Sequence, residues 1–258
     1  MARPALPAVF LSRPITHRAL HGQHDNCPEN SRAAIRAAID AGYGIEIDLQ
    51  LSADGQAMVF HDDTLDRLTD QTGPTRSRSA AEFGSIALRN GDGEGIPTFA
   101  EVLDIVAGQV PLLVEIKDQD GAMGPDVGPL EAAAVADLQG YSGPVALMSF
   151  NPHSVAEVAR LAPDLPRGLT TSAFDPAVWS PLDAGRCNEL RDIPDFDRVG
   201  ACFISHQASD ILRERVQALR ASGVPVLSWT IRSPAEEAKV RQGADNVTFE
   251  GYLSSLPA

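Results

Sequence analysis

The sequence alternates short runs rich in Ile, Val and Leu with segments whose apolar residues recur at helical spacing. This alternation is typical of repeated βα units, in which a strand, a loop and a helix follow one another. Eight such units in 258 residues predict a (β/α)8 TIM barrel, an α/β fold, with a small insertion after the second strand. We predict the strands at residues 14–17, 44–49, 111–116, 144–148, 168–171, 201–205, 225–230 and 246–249.

An open doubly wound sheet is the alternative fold. Such a sheet usually carries a glycine-rich phosphate loop after its first strand. The sequence contains neither the G-x-G-x-x-G pattern nor the G-x-x-x-x-G-K-[ST] pattern. The barrel is therefore the better interpretation.

Several connecting segments carry helix start signals. Thr98 and Glu101 form a capping-box pattern, and Ser233 and Glu236 form a second one with Pro234 at the first helical position. These patterns predict helices at residues 98–107 and from residue 233 onward. Further helices are predicted at residues 31–41, 130–138, 154–161 and 209–222.

Two connections are longer than a minimal barrel needs. Residues 62–97 are polar and glycine-rich and follow a possible extra strand at residues 57–60, and residues 172–200 form the second long connection. Because long loops at the end of a barrel usually carry binding, we expect the first to be an inserted lid over the site. Residues 1–258 are otherwise predicted to form a single barrel domain.

The charge balance limits the possible partners. There are 21 Lys and Arg residues against 35 Asp and Glu residues, a formal net charge of −14, and no basic cluster. A nucleic-acid partner is therefore not expected. No apolar run approaches the roughly 20 residues that span a bilayer, so no membrane span is expected.

The N-terminal segment and the cysteines predict a cytoplasmic location. Pro4, Pro7 and Pro14 interrupt the short apolar run at the start, and no cleavage site of the signal-peptide type follows. The three cysteines are odd in number, widely spaced and without a C-x-x-C pair, so neither a disulfide framework nor a zinc site is expected. They are Cys27, Cys187 and Cys202.

Acidic residues interrupt two of the predicted strands. The period of two along a strand places Glu46 and Asp48 on one face, and it places Glu115 and Lys117 together on another strand. In a barrel, the three carboxylates and the ammonium converge at the mouth. Three like charges need a counter-charge, and oxygen ligands favour a hard cation such as Mg²⁺ or Ca²⁺. The alternative is an exposed sheet face on which these carboxylates pair with Lys or Arg.

Two histidines follow predicted strands at the same mouth. His17 closes the first strand, and His61 closes the run that ends at Phe60. Two imidazoles beside a metal-bound group can share general acid and general base work near neutral pH. Either histidine alone would be interpreted as a structural residue. Because both lie beside the carboxylates, we interpret them as catalytic. No such support exists for His21, His24, His153 and His206.

The ordered set of motifs resembles the glycerophosphodiester phosphodiesterase family, and the resemblance spans essentially the whole chain. No single motif is specific, but the order and spacing are. The set consists of His17-Arg18, Pro28-Glu29-Asn30, Glu46-Ile47-Asp48, Asp54-Gly55, His61-Asp62, Leu65-Asp66-Arg67 with Thr69 and Gly73, Ile96-Pro97-Thr98, Glu115-Ile116-Lys117 and Trp229-Thr230.

The resemblance implies a barrel like that of the phosphatidylinositol-specific phospholipases C and hydrolysis of small glycerophosphodiesters, such as glycerophosphocholine, to glycerol 3-phosphate and an alcohol. It implies that His17 and His61 are the general acid and base. From the chemistry of the substrate, we expect the glycerol hydroxyl next to the diester to attack phosphorus, so that a cyclic phosphate forms on the way. One divalent cation, Mg²⁺ or Ca²⁺, is the implied cofactor. The other matched positions are Glu46, Asp48 and Glu115 as metal ligands, Arg18 and Lys117 at the phosphate, Trp229 in the substrate pocket, and Glu29 beside the metal site.

The sequence departs from the family pattern in two places. A longer segment with His21 and Cys27 separates Arg18 from Pro28, where many relatives have His-Arg-Gly-Gly. Near the end, Thr248-Phe249-Glu250-Gly251 stands where relatives often have Thr-Asp followed by Pro. The first departure alters the loop on the phosphate side, and the second alters the rim of the substrate pocket.

Four alternative functions stay open at this point. A lysophospholipase-D-like activity on lipid diesters would follow if residues 62–97 expose an apolar face, and a barrel without catalysis would only bind phosphodiesters. An aldolase would use Lys117 as a Schiff-base nucleophile with a lowered pKa. The pair His61-Asp62 also occurs in helical metal phosphohydrolases, which need further histidines on helices.

Overall fold

Eight parallel strands close into a barrel in the computed structural model, which describes residues 3–22 and 26–257. His24 lies outside the described residues. The first and last strands, β1 and β9, pair with each other, and β1 also pairs with β2, so the sheet has no free edge there. Among the strands of the described residues, only β3 is antiparallel, as a hairpin with β2. The strands are β1 (Ile15–Thr16), β2 (Gly44–Leu51), β3 (Ala57–Val59), β4 (Leu112–Ile116), β5 (Val145–Ser149), β6 (Arg167–Thr171), β7 (Phe203–Gln207), β8 (Val226–Ile231) and β9 (Asn246–Phe249).

All eight predicted barrel strands are confirmed, and the possible extra strand is β3. Helices of the described residues connect the strands, and none has the length and apolar character that crossing a membrane requires. The helices are α1 (Val9–Ser12), α2 (Arg32–Ala41), α3 (Ala80–Ser85), α4 (Phe99–Val106), α5 (Pro129–Asp137), α6 (Pro152–Leu161), α7 (Ala184–Arg191), α8 (Glu214–Ala221) and α9 (Pro234–Val240).

The helix starts follow the sequence signals in part. The capping box of Thr98 and Glu101 is complete. At α9, Ser233 Oγ accepts from the backbone N–H of Glu236, but the Glu236 carboxylate accepts from the backbone of Arg232, so only half of the predicted box forms. The helix predicted from residue 209 begins only at Glu214.

The delayed start of α8 comes from a short 3₁₀ helix, Ala208–Asp210, which follows β7 directly. The side chain of Arg213 then bonds to Asp210. Leu212, which shares the apolar helical spacing of Val216 and Leu219 in the sequence, is 67% exposed in this turn. The prediction was therefore wrong at this end, although Val216 and Leu219 are buried as expected.

Apolar side chains fill the outer layer and the lower half of the barrel. The aliphatic residues of β2, Ile45, Ile47 and Leu49, face the surrounding helices. Leu6 and Phe10, from the N-terminal segment and α1, enter the bottom of the barrel and pack on its inward-facing residues. Asn246 Nδ2 donates to the carbonyl oxygens of Phe10 and Arg13 and ties α1 to β9. The amino end of the barrel is thereby closed, and the carboxyl end remains for a site.

Removing the Phe10 ring should destabilise the protein strongly. Phe10 is fully buried, so Phe10→Ala leaves a cavity and is expected to lower the free energy of unfolding by about 3–5 kcal/mol, measured by urea denaturation. Leu212→Ala, at an exposed position, is the control and should stay within about 0.5 kcal/mol. Equal effects of the two substitutions would contradict the role of Phe10 in closing the barrel.

The segment between β3 and α4 folds around its own apolar cluster. It contains α3 and a 3₁₀ helix, Thr75–Ser77. Its large apolar side chains pack inward on Met58 and Phe60 of the hairpin rather than towards solvent. The condition for a lipid-binding lid, an exposed apolar face on residues 62–97, is therefore not met. The inward-packed residues of the segment are Leu65, Phe83, Ile86, Leu88 and Ile96.

Candidate active site

Three buried carboxylates meet at the carboxyl end of the barrel strands. β2 supplies Glu46 and Asp48, β4 supplies Glu115, and the parallel register places Asp48 beside Glu115. One oxygen atom of each lies within 4.8 Å of the others. The structure therefore brings together the three residues that the sequence predicted as metal ligands.

The buried negative charge of this acidic cluster (Glu46, Asp48 and Glu115) is only partly balanced. Lys117 Nζ lies 2.7 Å from Asp48 Oδ1 and 2.7 Å from Glu115 Oε1, and Arg18 Nε lies 3.6 Å from Asp48 Oδ2. Burial and the charges of Asp48 and Glu115 raise the pKa of Glu46 well above its usual value. A dense set of oxygen donors with excess negative charge fits a hard divalent cation.

Lys117 is held as an ammonium. Burial lowers the pKa of Lys117, but the charges of Asp48 and Glu115 outweigh this effect and leave the pKa above its usual value. A Schiff-base lysine needs the opposite shift. The geometry thus disfavours the aldolase alternative and places Lys117 where it can neutralise an anion beside the acidic cluster.

A tight turn after β1 directs Arg18 and its backbone into the site. Arg18 and Ala19 both adopt left-handed backbone conformations, with φ of 53° and 65°. The backbone N–H of Arg18 donates to Glu46 Oε2 at 2.8 Å, and that of Ala19 donates to the Glu46 carbonyl oxygen. The Arg18 guanidinium reaches Glu29 Oε1 at 2.8 Å. This turn orients the Glu46 carboxylate from the neighbouring strand.

Asn30 is a site residue for which the sequence analysis assigned no role. Its Nδ2 donates to Asp48 Oδ2 at 2.9 Å, and its side chain is buried. Its backbone N–H bonds to the Arg18 carbonyl oxygen, and its own φ of 56° is left-handed. Its place after Pro28-Glu29 was the available signal, since Asn tolerates this conformation better than most residues.

His17 faces a carboxylate through one ring nitrogen. Its Nδ1 lies 2.6 Å from Glu250 Oε2, and Arg232 Nη2 lies 2.8 Å from Glu250 Oε1. The hydrogen bond from His17 lowers the pKa of Glu250 below its usual value. Burial lowers the pKa of His17. The hydrogen bond to Glu250 raises it, but by less, so the pKa stays below its usual value. His21, from the unusual loop after Arg18, lies 3.6 Å from the same carboxylate.

His61 has the same kind of partner. Its Nδ1 lies 2.7 Å from Asp62 Oδ1, and Arg67 binds Asp62 at 2.7 Å. Burial raises the pKa of Asp62, but the hydrogen bonds from His61 and Arg67 outweigh it and leave the pKa well below its usual value. At both histidines a carboxylate contacts Nδ1, so Nε2 is the ring nitrogen that remains free to exchange a proton with a substrate.

Arg67 joins His61 to the other side of the site. It also donates two hydrogen bonds of 2.8 Å to Glu29, which in turn holds Arg18. Burial raises the pKa of Glu29, but the Arg67 hydrogen bonds and the Arg18 charge leave it below its usual value. Glu29, predicted beside the metal site, therefore contacts two arginines, and the segment of residues 62–97 is tied to the barrel through Arg67.

An aromatic group lines the mouth on another side. Trp229 is half-buried, and its Nε1 donates to the Ser205 carbonyl oxygen at 3.0 Å. Its ring lies 5.4 Å from that of Phe150, which also packs on Trp179 and Phe174. Trp229 thus lies at the predicted end of the barrel, within an aromatic group that consists of Phe150, Phe174, Trp179 and Trp229.

The remaining described histidines have different surroundings. His206 is fully buried, and its ring nitrogens face Thr171 and Asp210. His153 lies in α6, away from the acidic cluster. Neither forms a hydrogen bond with the acidic cluster, His17 or His61.

Comparisons with known proteins agree with this geometry. The model of the glycerophosphoryl diester phosphodiesterase family matches residues 17–249. A glycerophosphodiester phosphodiesterase of Caldanaerobacter subterraneus is 29% identical over 241 residues, which cover 90% of this chain and 91% of the relative.

Solved structures are similar as well. A phosphodiesterase of Oleispira antarctica, in complex with the product sn-glycerol-3-phosphate, is 28% identical with a TM-score of 0.75, and the match covers 93% of each chain. A glycerophosphodiester phosphodiesterase of Thermotoga maritima has a TM-score of 0.68 at 22% identity, over 91% of this chain and 92% of that one, and shares the fold.

Proposed function

Because the chain belongs to the glycerophosphoryl diester phosphodiesterase family, we propose that it hydrolyses small glycerophosphodiesters to glycerol 3-phosphate and an alcohol. The main support is the convergence of the acidic cluster with two histidines whose Nδ1 atoms face carboxylates. Burial raises the pKa of Asp48, but the charges of Lys117, His61 and Arg18 outweigh this effect and leave the pKa below its usual value.

The acidic cluster is the proposed binding site of one divalent cation. Glu46, Asp48 and Glu115 would hold Mg²⁺ or Ca²⁺, since they offer only oxygen donors. When bound, the cation would offset the negative charge of the phosphodiester. Arg18 and Lys117 add positive charge beside it and would bind the phosphate oxygens, although each also holds a carboxylate.

The two histidines would move the protons. In the proposed route, Nε2 of one histidine removes the proton of the glycerol hydroxyl next to the diester, and that oxygen attacks phosphorus. The bond from phosphorus to the alcohol oxygen breaks, and Nε2 of the other histidine protonates the alcohol. Water then opens the resulting cyclic phosphate: the histidine that protonated the alcohol takes a proton from the water, whose oxygen bonds to phosphorus. The bond from phosphorus to the ring oxygen breaks, and the other histidine returns its proton to that glycerol oxygen, so both histidines regain their first protonation states.

The cyclic route predicts a strict substrate requirement. A diester in which hydrogen replaces the adjacent glycerol hydroxyl lacks the internal nucleophile, so its turnover should fall to the background of the metal-free protein. Parallel assays of this analogue and of glycerophosphocholine measure the difference, with alcohol release as the readout. Efficient turnover of the analogue would contradict the cyclic route while leaving hydrolysis itself intact.

Release of glycerol 3-phosphate from glycerophosphocholine, with Mg²⁺ or Ca²⁺ present, tests the proposed function directly. A panel of head groups in the same assay identifies the preferred alcohol. Tight binding of the diester without any release would instead favour the phosphodiester-binding barrel considered from the sequence.

Lipid diesters are a second candidate substrate class. The partly buried rings of Phe150, Trp179 and Trp229 provide an apolar wall at the mouth. Val178, beside Trp179, is exposed as well. A lysophospholipase-D-like activity would place an acyl chain on this wall, and comparison of lysophosphatidylcholine with glycerophosphocholine at equal concentrations decides between the two classes.

We also propose the cytoplasmic location expected from the sequence. Cys27, Cys187 and Cys202 are free and buried, which is compatible with a reducing compartment.

A further inference from the structure

Glu250 lies between one candidate catalytic residue and two cationic side chains. Its Oε2 accepts from His17 Nδ1 at 2.6 Å, and its Oε1 forms an ion pair with Arg232 Nη2 at 2.8 Å. His21 Nε2 lies 3.6 Å from Oε2. Each carboxylate oxygen therefore has a fixed neighbour, although Glu250 itself belongs to none of the motifs from which the site was predicted.

The barrel seam sets the distance between the two side chains. β1 and β9 are paired in parallel with Thr16 opposite Phe249, so the next residue on each strand, His17 and Glu250, emerges at the same level. The backbone N–H of His17 also bonds to the Phe249 carbonyl oxygen at 2.8 Å. The contact thus joins two rigid strand ends rather than two loops.

The chemistry of the contact fixes the state of the ring. An ionised carboxylate only accepts hydrogen bonds, so His17 must carry its proton on Nδ1. A neutral His17 then has its lone pair on Nε2, the nitrogen that is free to act on a substrate. A carboxylate at Nδ1 also stabilises the imidazolium that forms when Nε2 takes a proton, the role that the aspartate plays in serine protease triads.

We propose that Glu250 is the positioning residue of His17: it holds the ring in the Nδ1–H tautomer, with Nε2 directed at the diester, and Arg232 fixes Glu250 in turn. The catalytic part of this proposal rests on the proposed function. The tautomer part does not, because it follows from the contact itself. Asp62 and Arg67 repeat the arrangement at His61.

Kinetics of Glu250→Gln test the proposal on glycerophosphocholine with Mg²⁺. The amide keeps the shape of the side chain but no longer requires the Nδ1–H tautomer and carries no charge. We expect kcat to fall about 10–100-fold with KM within about twofold, as partners of catalytic groups typically behave. A general structural defect would instead lower the fraction of protein that is folded. The KM, and the kcat calculated per folded molecule, would then stay at their wild-type values.

The chain offers a matched control outside the site. Asp210 faces His206 Nε2 at 3.2 Å and binds Arg213 at 2.5 Å, so it also joins an arginine to a histidine, here through Nε2 instead of Nδ1. Asp210→Asn should leave kcat unchanged. An equal loss in the two variants would overturn the assignment, as would wild-type kcat in Glu250→Gln.

Nitrogen-15 NMR of the histidine rings provides a readout that needs no substrate. In the full chain at about pH 8, where an ordinary imidazole is neutral, long-range couplings should identify His17 as the Nδ1–H tautomer, with His17→Ala used to assign its signals. Glu250→Gln should no longer show the Nδ1–H tautomer of His17 alone.

An Nε2–H tautomer in the wild type would overturn the proposal even if Glu250→Gln failed to fold. Absence of any hydrolysis with the expected tautomer would instead refute the proposed function and leave the positioning role intact.

Discussion

Replacement of His17 by alanine is expected to lower kcat on glycerophosphocholine by about 10²–10⁴-fold, and His61→Ala should have an effect of similar size. Each substitution removes an Nε2 that transfers a proton in both halves of the proposed reaction. Initial rates at saturating diester and metal measure the loss. The fold should survive, because both rings lie at the barrel mouth, partly exposed and outside the apolar core.

The double variant adds a sharper test. Groups that act as a unit give non-additive losses, so His17→Ala combined with His61→Ala should be little worse than either single change. His153→Ala, at a histidine in α6, is the control and should retain full activity. Near-normal rates in both single variants would refute the assignment of the two histidines.

Removal of divalent cations should abolish turnover, and readdition of Mg²⁺ or Ca²⁺ should restore it. Because the acidic cluster carries excess buried charge, a bound cation also stabilises the folded protein. At a metal concentration 100 times its Kd, the free energy of unfolding should rise by about 2.7 kcal/mol. Urea denaturation with and without chelator measures this gain. Full activity in excess chelator would contradict the proposed metal dependence.

Glu46→Gln should lower the stability of the protein in the presence of the metal and raise it in the presence of chelator. Calorimetry should show metal affinity reduced by at least about 10–100-fold, the loss typical of the groups that merely support ligands. In chelator the same variant should unfold at higher urea than the wild type, because it removes one of three adjacent buried carboxylates.

Glu131→Gln is the control for this pair of measurements. Glu131 is also buried, but its carboxylate accepts from the Gly128 backbone, away from the acidic cluster. It should change neither metal affinity nor the response to chelator. A Glu46→Gln variant that behaves like Glu131→Gln would exclude Glu46 from the cation site.

The barrel and its acidic cluster are predictable because they depend on local periodicity. Alternation along β2 and β4 determines which side chains point inward, and the parallel pairing of these two strands brings together Glu46, Asp48 and Glu115. The strand ends likewise locate His17 and His61.

The partners of the histidines were harder to predict because they depend on which distant segments meet. His17 and Glu250 are 233 residues apart in the chain and become neighbours only when the first and last strands pair. From the sequence, Glu250 and the loop with His21 counted as two separate departures from the family pattern. In the structure His21 lies 3.6 Å from the Glu250 carboxylate that faces His17, so the two departures meet at one place.

Asn30 was missed for another reason. Its contact with Asp48 depends on left-handed backbone at Arg18, Ala19 and Asn30 itself, which no hydrophobic period encodes. The start of α8 was misplaced similarly, because Asp210 and Arg213 stabilise a turn where apolar spacing suggested helix.

The pairing of β1 with β9 has a consequence for biosynthesis. A nascent chain presents β1 to the solvent before β9 has been made, so the barrel cannot close until β9 has left the ribosome. Until then, β1 offers an unpaired strand edge to other chains. A product stopped before β9 lacks Glu250 and leaves that edge open, so it should be both inactive and prone to aggregate.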